Sequence, residues 1–431
     1  MKNTLKTLFT KPILLALIFI LIVYLPTSIS APPEGVERQH IASVGIDLAE
    51  NGIELSVLSH VSSQNDKYKK TYIVTSTTAP NVALALFDIS SITGRQSALT
   101  HTTTIVVSQE LAETGLHNYL DYFYRDPNVA NDTFVICTTS KAKDLLNFEK
   151  ERINSAGYGL EEVLIYNAQN TYFSDSNLES FFKGYFSPTQ TSMLAMAELE
   201  PNPDGEQTLQ SGGGGGGGSS SGGGSGGTSP ASTGGNSGKP ATSGEDTGPK
   251  RIKSLSNIAL IKKGKYLDTL ETEDVAGFNL VTNGSHNIYF TVDNFTDQVF
   301  QNATIEFNII TNKLAFVTSF ENNRPVFEID TLVSLAIESV MGEELYKEYY
   351  YNDINPLSPK LKNAVSEVIR GKISKFLQKI IKDKTDVLGI YATLNNQQGT
   401  KFQKWLESLR DPQDFLAEIE FRVTTNPILT S

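Results

Sequence analysis

The sequence predicts an α+β protein: two mixed α/β domains with largely antiparallel sheets, joined by a disordered glycine-serine linker. Three observations predict it. The 431 residues are too many for one ordinary core, and their 39% hydrophobic and 19% charged content is that of globular domains. Strand-like and helix-like runs alternate on both sides of a break in composition. The break, residues 201–250, opens Pro201-Asn202-Pro203-Asp204-Gly205 and contains an unbroken run from Gly212 to Gly218. It has almost no apolar side chains to offset its ordering entropy and reads as a random coil. A coil of about fifty residues spans roughly 40 Å. Its glycines are no phosphate cradle, because no Gly-Lys-Ser/Thr ending follows them.

Residues 1–30 are a different material. Lys2, Lys6 and Lys11 precede an apolar run from Ile13 to Leu25, and Ser28-Ile29-Ser30 stand before Ala31. This reads as a secretory signal or, if Leu8 and Phe9 extend the run, as an uncleaved N-terminal membrane anchor. Either places the later residues outside the cytoplasm. No cysteine follows the run, which predicts that no lipid is attached there.

Residues 31–200 read as the first domain. Ile41–Leu48 and Ile53–His60 are strands joined through Asn51-Gly52, followed by a strand at Thr71–Thr75. Asn81–Ile92 reads as a helix and Thr100–Val107 as a strand. Ser108 is placed to cap a helix reaching about Tyr124. Asp132–Thr138 is a strand; Ser140–Phe148, Leu160–Gln169 and Leu178–Lys183 are helical, and Thr191–Glu198 is an edge strand. Residues 251–431 read as the second domain. Asn257–Lys262 and Lys265–Thr269 form a hairpin across Lys263-Gly264. Strands follow at Asn287–Val292, Ala303–Thr311, Lys313–Ser319 and Pro325–Ile329, then a helix near Leu332–Met341. The strongest helix is Ser358–Lys382, with Leu361, Val365, Ile369, Phe376 and Ile380 along one side. A helix at Thr400–Leu409 holds Trp405, and Phe415–Val423 closes the chain as a strand.

The formal charge of −12 argues against a nucleic-acid partner. The single cysteine, Cys137, excludes an internal disulfide framework and a cysteine-rich zinc site, and its strand context reads as plain burial. The histidines, His40, His60, His101, His117 and His286, show no ligand spacing. No catalytic, cofactor-binding or metal residue is therefore expected. Arg125-Asp126-Pro127 is either a helix terminator or a partner contact. Lys372, Lys375 and Lys379 lie on a basic helix that is either a solvated face or a surface for anionic lipid or an acidic partner. Tyr346 and Tyr349 to Tyr351 are either packing or a loop contact surface. Asn131, Asn283, Asn294 and Asn302 begin Asn-x-Ser/Thr triplets, which read as turn chemistry.

Two stretches carry a resemblance to a known family. The first is Leu99 to Leu145: His101 before a strand, then Ser108 to Leu116, Leu120 to Pro127, and Lys141 to Leu145 after the next strand. The second is Ile258 to Leu280 with its Lys262-Lys263-Gly264-Lys265-Tyr266-Leu267, together with Asp386-Val387-Leu388-Gly389 and the Trp405 helix near the end. These resemble the two halves of the C subunit of bacterial spore germinant receptors, the GerAC or Ger(x)C family. The resemblance implies a non-enzymatic subunit without cofactor, on the outer face of the spore inner membrane. Its implied partners are membrane-embedded receptor subunits and the membrane itself, in a receptor for nutrient germinants. The sequence departs from the family in lacking a lipobox cysteine and in carrying the long glycine-serine segment. The competing reading is an exported solute-binding or envelope-assembly module, which would need a ligand pocket.

Overall fold

The computed structural model describes residues 38–62, 70–156, 159–169, 175–201, 250–282, 287–298, 300–344 and 358–430, together with Phe19. The rest of the predicted export segment, the glycine-serine run at 202–249, the tyrosine run at 346–351, Asn283 and His286 lie outside the described residues. Among the described residues no helix is long and apolar enough to cross a membrane.

The first sheet begins with an antiparallel meander, β1 (Arg38–Ala49), β2 (Gly52–Ser62) and β3 (Lys70–Ala79). Gly52 makes the predicted turn at φ 131°, where a Cβ would lie 2.4 Å from the Ala79 carbonyl oxygen. Helix α1 (Val82–Thr93) is capped by Asn81, whose side chain accepts from Leu84 N at 3.0 Å. Strands β4 (Gln96–Ala98) and β5 (Thr104–Ser108) both run parallel to β1. The single helix predicted after Ser108 is two helices, α2 (Gln109–Thr114) and α3 (His117–Arg125). Gly115, at φ 128°, breaks the run, and Leu116 N donates outside it, to the Gly264 carbonyl at 2.7 Å. Ser108 makes no side-chain cap bond; its hydroxyl faces Asp47 instead.

Strand β6 (Phe134–Thr138), helices α4 (Ala142–Ala156), α5 (Leu160–Gln169) and α6 (Leu178–Tyr185), and strand β7 (Thr191–Pro201) follow. The predicted edge strand β7 is interior: it pairs parallel with β6 and antiparallel with β8 (Lys250–Lys262). Leu194, Ala195, Met196 and Ala197 are all buried, as a strand covered on both faces requires. Strand β9 (Lys265–Leu270) completes a nine-stranded sheet of order β3-β2-β1-β5-β6-β7-β8-β9, with β4 beside β1. Antiparallel pairs flank its parallel centre. Helices α1, α2, α3 and α6 cover one face, and α4 and α5 the other.

The predicted border between domains falls inside this sheet. Glu200 pairs with Arg251 and Pro201 with Lys250, so the two ends of the glycine-serine segment stand side by side.

The second sheet is preceded by α7 (Thr272–Leu280) and contains β10 (Ile288–Phe295), β11 (Phe300–Glu321) and β12 (Arg324–Glu344). Asn294 and Asn302 adopt φ 53° and 47° where the β10–β11 register shifts, which is the turn chemistry their sequences suggest. Strands β11 and β12 are joined by Asn322 and Asn323, both at left-handed φ (48° and 61°), as a tight hairpin needs. The helix predicted near Leu332–Met341 is therefore wrong: this stretch is the second half of β12. Ile329, Thr331, Val333 and Leu335 are buried at alternate positions, a period of two that a run of apolar residues disguises. Pairing with β11 on one side and β13 (Glu420–Leu429) on the other overrides any helical tendency. Helix α8 (Pro359–Lys382) forms as predicted, and Ser358 caps it by accepting from Leu361 N at 3.1 Å. An additional helix, α9 (Ile390–Gln398), precedes α10 (Thr400–Ser408). The last strand starts later than predicted because Pro412–Glu418 forms a 3-10 turn.

Strand β8 is the shared wall of the two halves. Ala259 and Ile261 face the core of the first, whereas Ile258 and Leu260 face the core built under α8. Alternation along one strand thus joins two hydrophobic cores.

Candidate functional site

The Arg125-Asp126-Pro127 motif ends α3 at the mouth of a groove of about 760 Å3 between α3 and the start of α1. Pro127 holds Asp126 extended (φ −74°, ψ 117°), which stops the helix. The Asp126 carboxylate then accepts from Asn128 N and Asn128 Nδ2, both at 2.9 Å, forming the turn. Arg125 Nε donates to Asp121 Oδ2 at 2.7 Å, one helical turn back, and its side chain is 78% exposed. Pro80, Asn81 and Val82 form the opposite wall, and Tyr119 and Tyr122 line the groove. The motif is thus a terminator in its backbone and an open polar surface in its side chains.

Other residues that carry the family resemblance meet at the β8–β9 hairpin. The Gly264 carbonyl accepts from Leu116 N in the α2–α3 break, and Gly264 packs beside Tyr185 and His117, whose rings stack at 4.9 Å. Lys262 Nζ donates to the Lys384 carbonyl at 2.9 Å, and Lys263 Nζ to Gln413 Oε1 at 3.2 Å. Asp386 accepts from Ile390 N at 2.7 Å and Tyr391 N at 2.8 Å, which caps α9, while Gly389 makes the turn at φ 68°. Burial raises the Asp386 carboxyl above the ordinary carboxylate range and lowers Lys262 below the usual ammonium range, each opposed by the other's charge. The hairpin tip therefore pins the first half of the chain to the second.

The basic face of α8 is largely engaged within the molecule. Lys375 pairs with Glu273 on α7, and Lys379 with Asp268 on β9 and with Asp383 at 3.1 Å. Burial opposes the charge on Lys379, but its bonds to Asp268 and Asp383 raise it above the usual ammonium range. Lys372 adds to the positive field on Glu273 without pairing with it. The face is thereby clamped to α7. Gly277 lets the two helices approach, since a Cβ there would lie 2.6 Å from the Lys372 carbonyl oxygen.

Sequence spacing gave no sign of one further grouping. His40 on β1, His60 on β2 and His101 before β5 surround a cavity of about 410 Å3, with Tyr72, Glu149, Glu161 and Glu162. The residues come from six separate segments, so only the fold assembles them. Among the described residues no group of three His, Cys, Asp or Glu is set to hold a metal ion. Cys137 is fully buried, and burial pushes its thiol up to about 12, so it stays protonated at neutral pH.

These features define a class: a two-part α+β protein, welded through a shared strand, whose marked residues form an open groove and structural clamps. The chain belongs to the GerAC-like family of spore germination proteins, the C subunits of germinant receptors. The family model described as "Spore germination protein N-terminal domain" matches residues 36–199, and that described as "Spore germination B3/ GerAC like, C-terminal" matches residues 256–429. The chain is also similar to a solved structure titled "Crystal Structure of the GerBC protein", at 13% identity and a TM-score of 0.46, over 90% of this chain and 97% of that one. No curated protein matches it.

Proposed function

We propose that the chain is a non-enzymatic subunit of a membrane-associated germinant receptor complex that acts in nutrient-triggered spore germination. Family membership supports the germination role. The single observation that supports a partner-contact role is the Arg125–Asp126 surface. It combines an exposed Arg125–Asp121 pair with an open groove inside the family-matched region 36–199. On this reading Arg125 and Asp126 meet a membrane-embedded subunit. Lys372, with the clamped Lys375 and Lys379 beside it, forms a second contact.

Residues 1–30 serve as signal or anchor, 31–200 and 251–431 as the two family domains, and 201–250 as the linker. The chain then works, exported, at the outer face of the spore inner membrane. Deleting the gene should slow nutrient-triggered germination and leave sporulation intact. Normal nutrient germination in a strain lacking this gene and its paralogues would sink the reading.

A further inference from the structure

The cavity between the start of β1, the start of β3 and helices α4 and α5 has a chemistry that the contact surfaces do not use. Its lining carries three carboxyl groups, from Glu149, Glu161 and Glu162, and no lysine or arginine among the described residues. Glu149 is 3% exposed. Its Oε1 accepts from Leu160 N at 3.3 Å. Its Oε2, and the Ser43 hydroxyl that stands beside the carboxyl, lack hydrogen bonds of good geometry. His40 Nδ1 is likewise buried without a partner. A buried carboxyl oxygen is costly to leave unbonded, so the site favours a donor beyond the nearby Ser43 hydroxyl.

The lining also decides what kind of donor. An anion or a carboxylated solute would face three carboxyls, with only the imidazoles of His40, His60 and His101 to meet it. A bare metal ion would need closer ligands than the fold provides. An ammonium group carries three donors and a positive charge, which the three carboxyls can meet. About 410 Å3 is room for a small organic molecule and too little for a peptide segment. We propose that this cavity binds a small organic ammonium ion, held by Glu149 with Glu161 and Glu162 at the rim.

Burial pushes Glu149 up to about 7, so an arriving cation would find a carboxyl ready to ionise against it.

The chain has five histidines, which makes the test clean. The full-length chain in detergent micelles, labelled with 13C at the histidine ring Cε1, is titrated with n-propylammonium chloride. Sodium propionate at equal ionic strength is the control. The His40, His60 and His101 signals should shift and saturate with propylammonium and stay still with propionate, while His117, stacked on Tyr185 away from the cavity, should not move. Glu149→Gln should raise the propylammonium Kd about tenfold or more, the loss expected for one charged hydrogen bond. The rim pair Glu161→Gln with Glu162→Gln, where burial is slight, should weaken binding as well and serves if Glu149→Gln fails to fold. An absence of saturable shifts, equal shifts with propionate, or unchanged affinity in the folded variants would overturn the proposal.

Discussion

Glu149 shows how a single residue ties stability to pH. Burial, its main influence, raises its carboxyl from an ordinary 4.5 to about 7, against the opposing help of Ser43 and the Leu160 backbone. Between those values the folded chain holds a proton that the unfolded chain releases. The group's stabilisation is therefore complete below about pH 4.5 and is lost as pH rises through about 7. Glu149→Gln keeps the shape and removes the titration. The variant should melt above the wild type at pH 8, with the gap closing towards pH 4.5; thermal melts at the two values decide it. A gap independent of pH would contradict the assignment. Residue roles of this kind were only partly legible in the sequence. Cys137 could be read as buried because its neighbours are strand formers. Glu149 could not, because it sits mid-helix among Lys150, Glu151 and Arg152 and looks like one more surface charge. The histidines escaped for a related reason: sequence spacing reports ligands on one element, whereas His40, His60 and His101 are collected by three. Arg125, Asp126 and Pro127 were legible, since Pro127 constrains its neighbour wherever it stands.

At the scale of elements, local signals worked where one element decides the outcome. The Asn51-Gly52 turn, the Asn81 cap and the three- and four-residue spacing of α8 each formed as read. They failed where a distant partner intervenes. The α2–α3 break depends on the Gly264 carbonyl, far along the chain, and β12 depends on strands on both of its sides. The same is true of β7, which becomes interior only because β8 returns beside it. That return makes a prediction about the glycine-serine segment. If Pro201 and Lys250 are neighbours, the segment closes a hairpin, and shortening it removes closure entropy without straining the fold. Cutting it from ~48 to ~6 residues, with glycine and asparagine in the turn, should stabilise the chain by about 2 kcal/mol. Urea unfolding should show one cooperative transition at higher urea. A transition at lower urea, or two separate transitions, would mean that the halves do not share a sheet.

At the scale of the whole molecule, fold class and family were legible and the joining of the halves was not. The α+β reading follows from alternating patterns, which survive without knowledge of pairing. The weld at β8 does not, because Ile258 and Leu260 face one core and Ala259 and Ile261 the other, and such a strand reads as a plain apolar run. The weld bears on the proposed function. With the β8–β9 tip held by Leu116, Lys384 and Gln413, the Arg125 groove and the α8 face stand in a fixed relation on one body. A partner gripping both would sense the whole chain. The central claim is that the Arg125–Asp126 surface engages a membrane-embedded receptor subunit. It is tested most directly by the charge-swapped chain carrying Arg125→Glu and Asp126→Lys, expressed in spores from the native locus. Arg125 is largely exposed and the Asp126 bonds lie within its own turn, so the swap loosens that turn alone and the two chains are compared at equal levels. Affinity capture from spore membranes should then recover the embedded subunits with the wild-type chain and lose most of them with the swapped chain, alongside slower nutrient germination. Equal recovery and equal germination, at equal levels of the two chains, would contradict the claim.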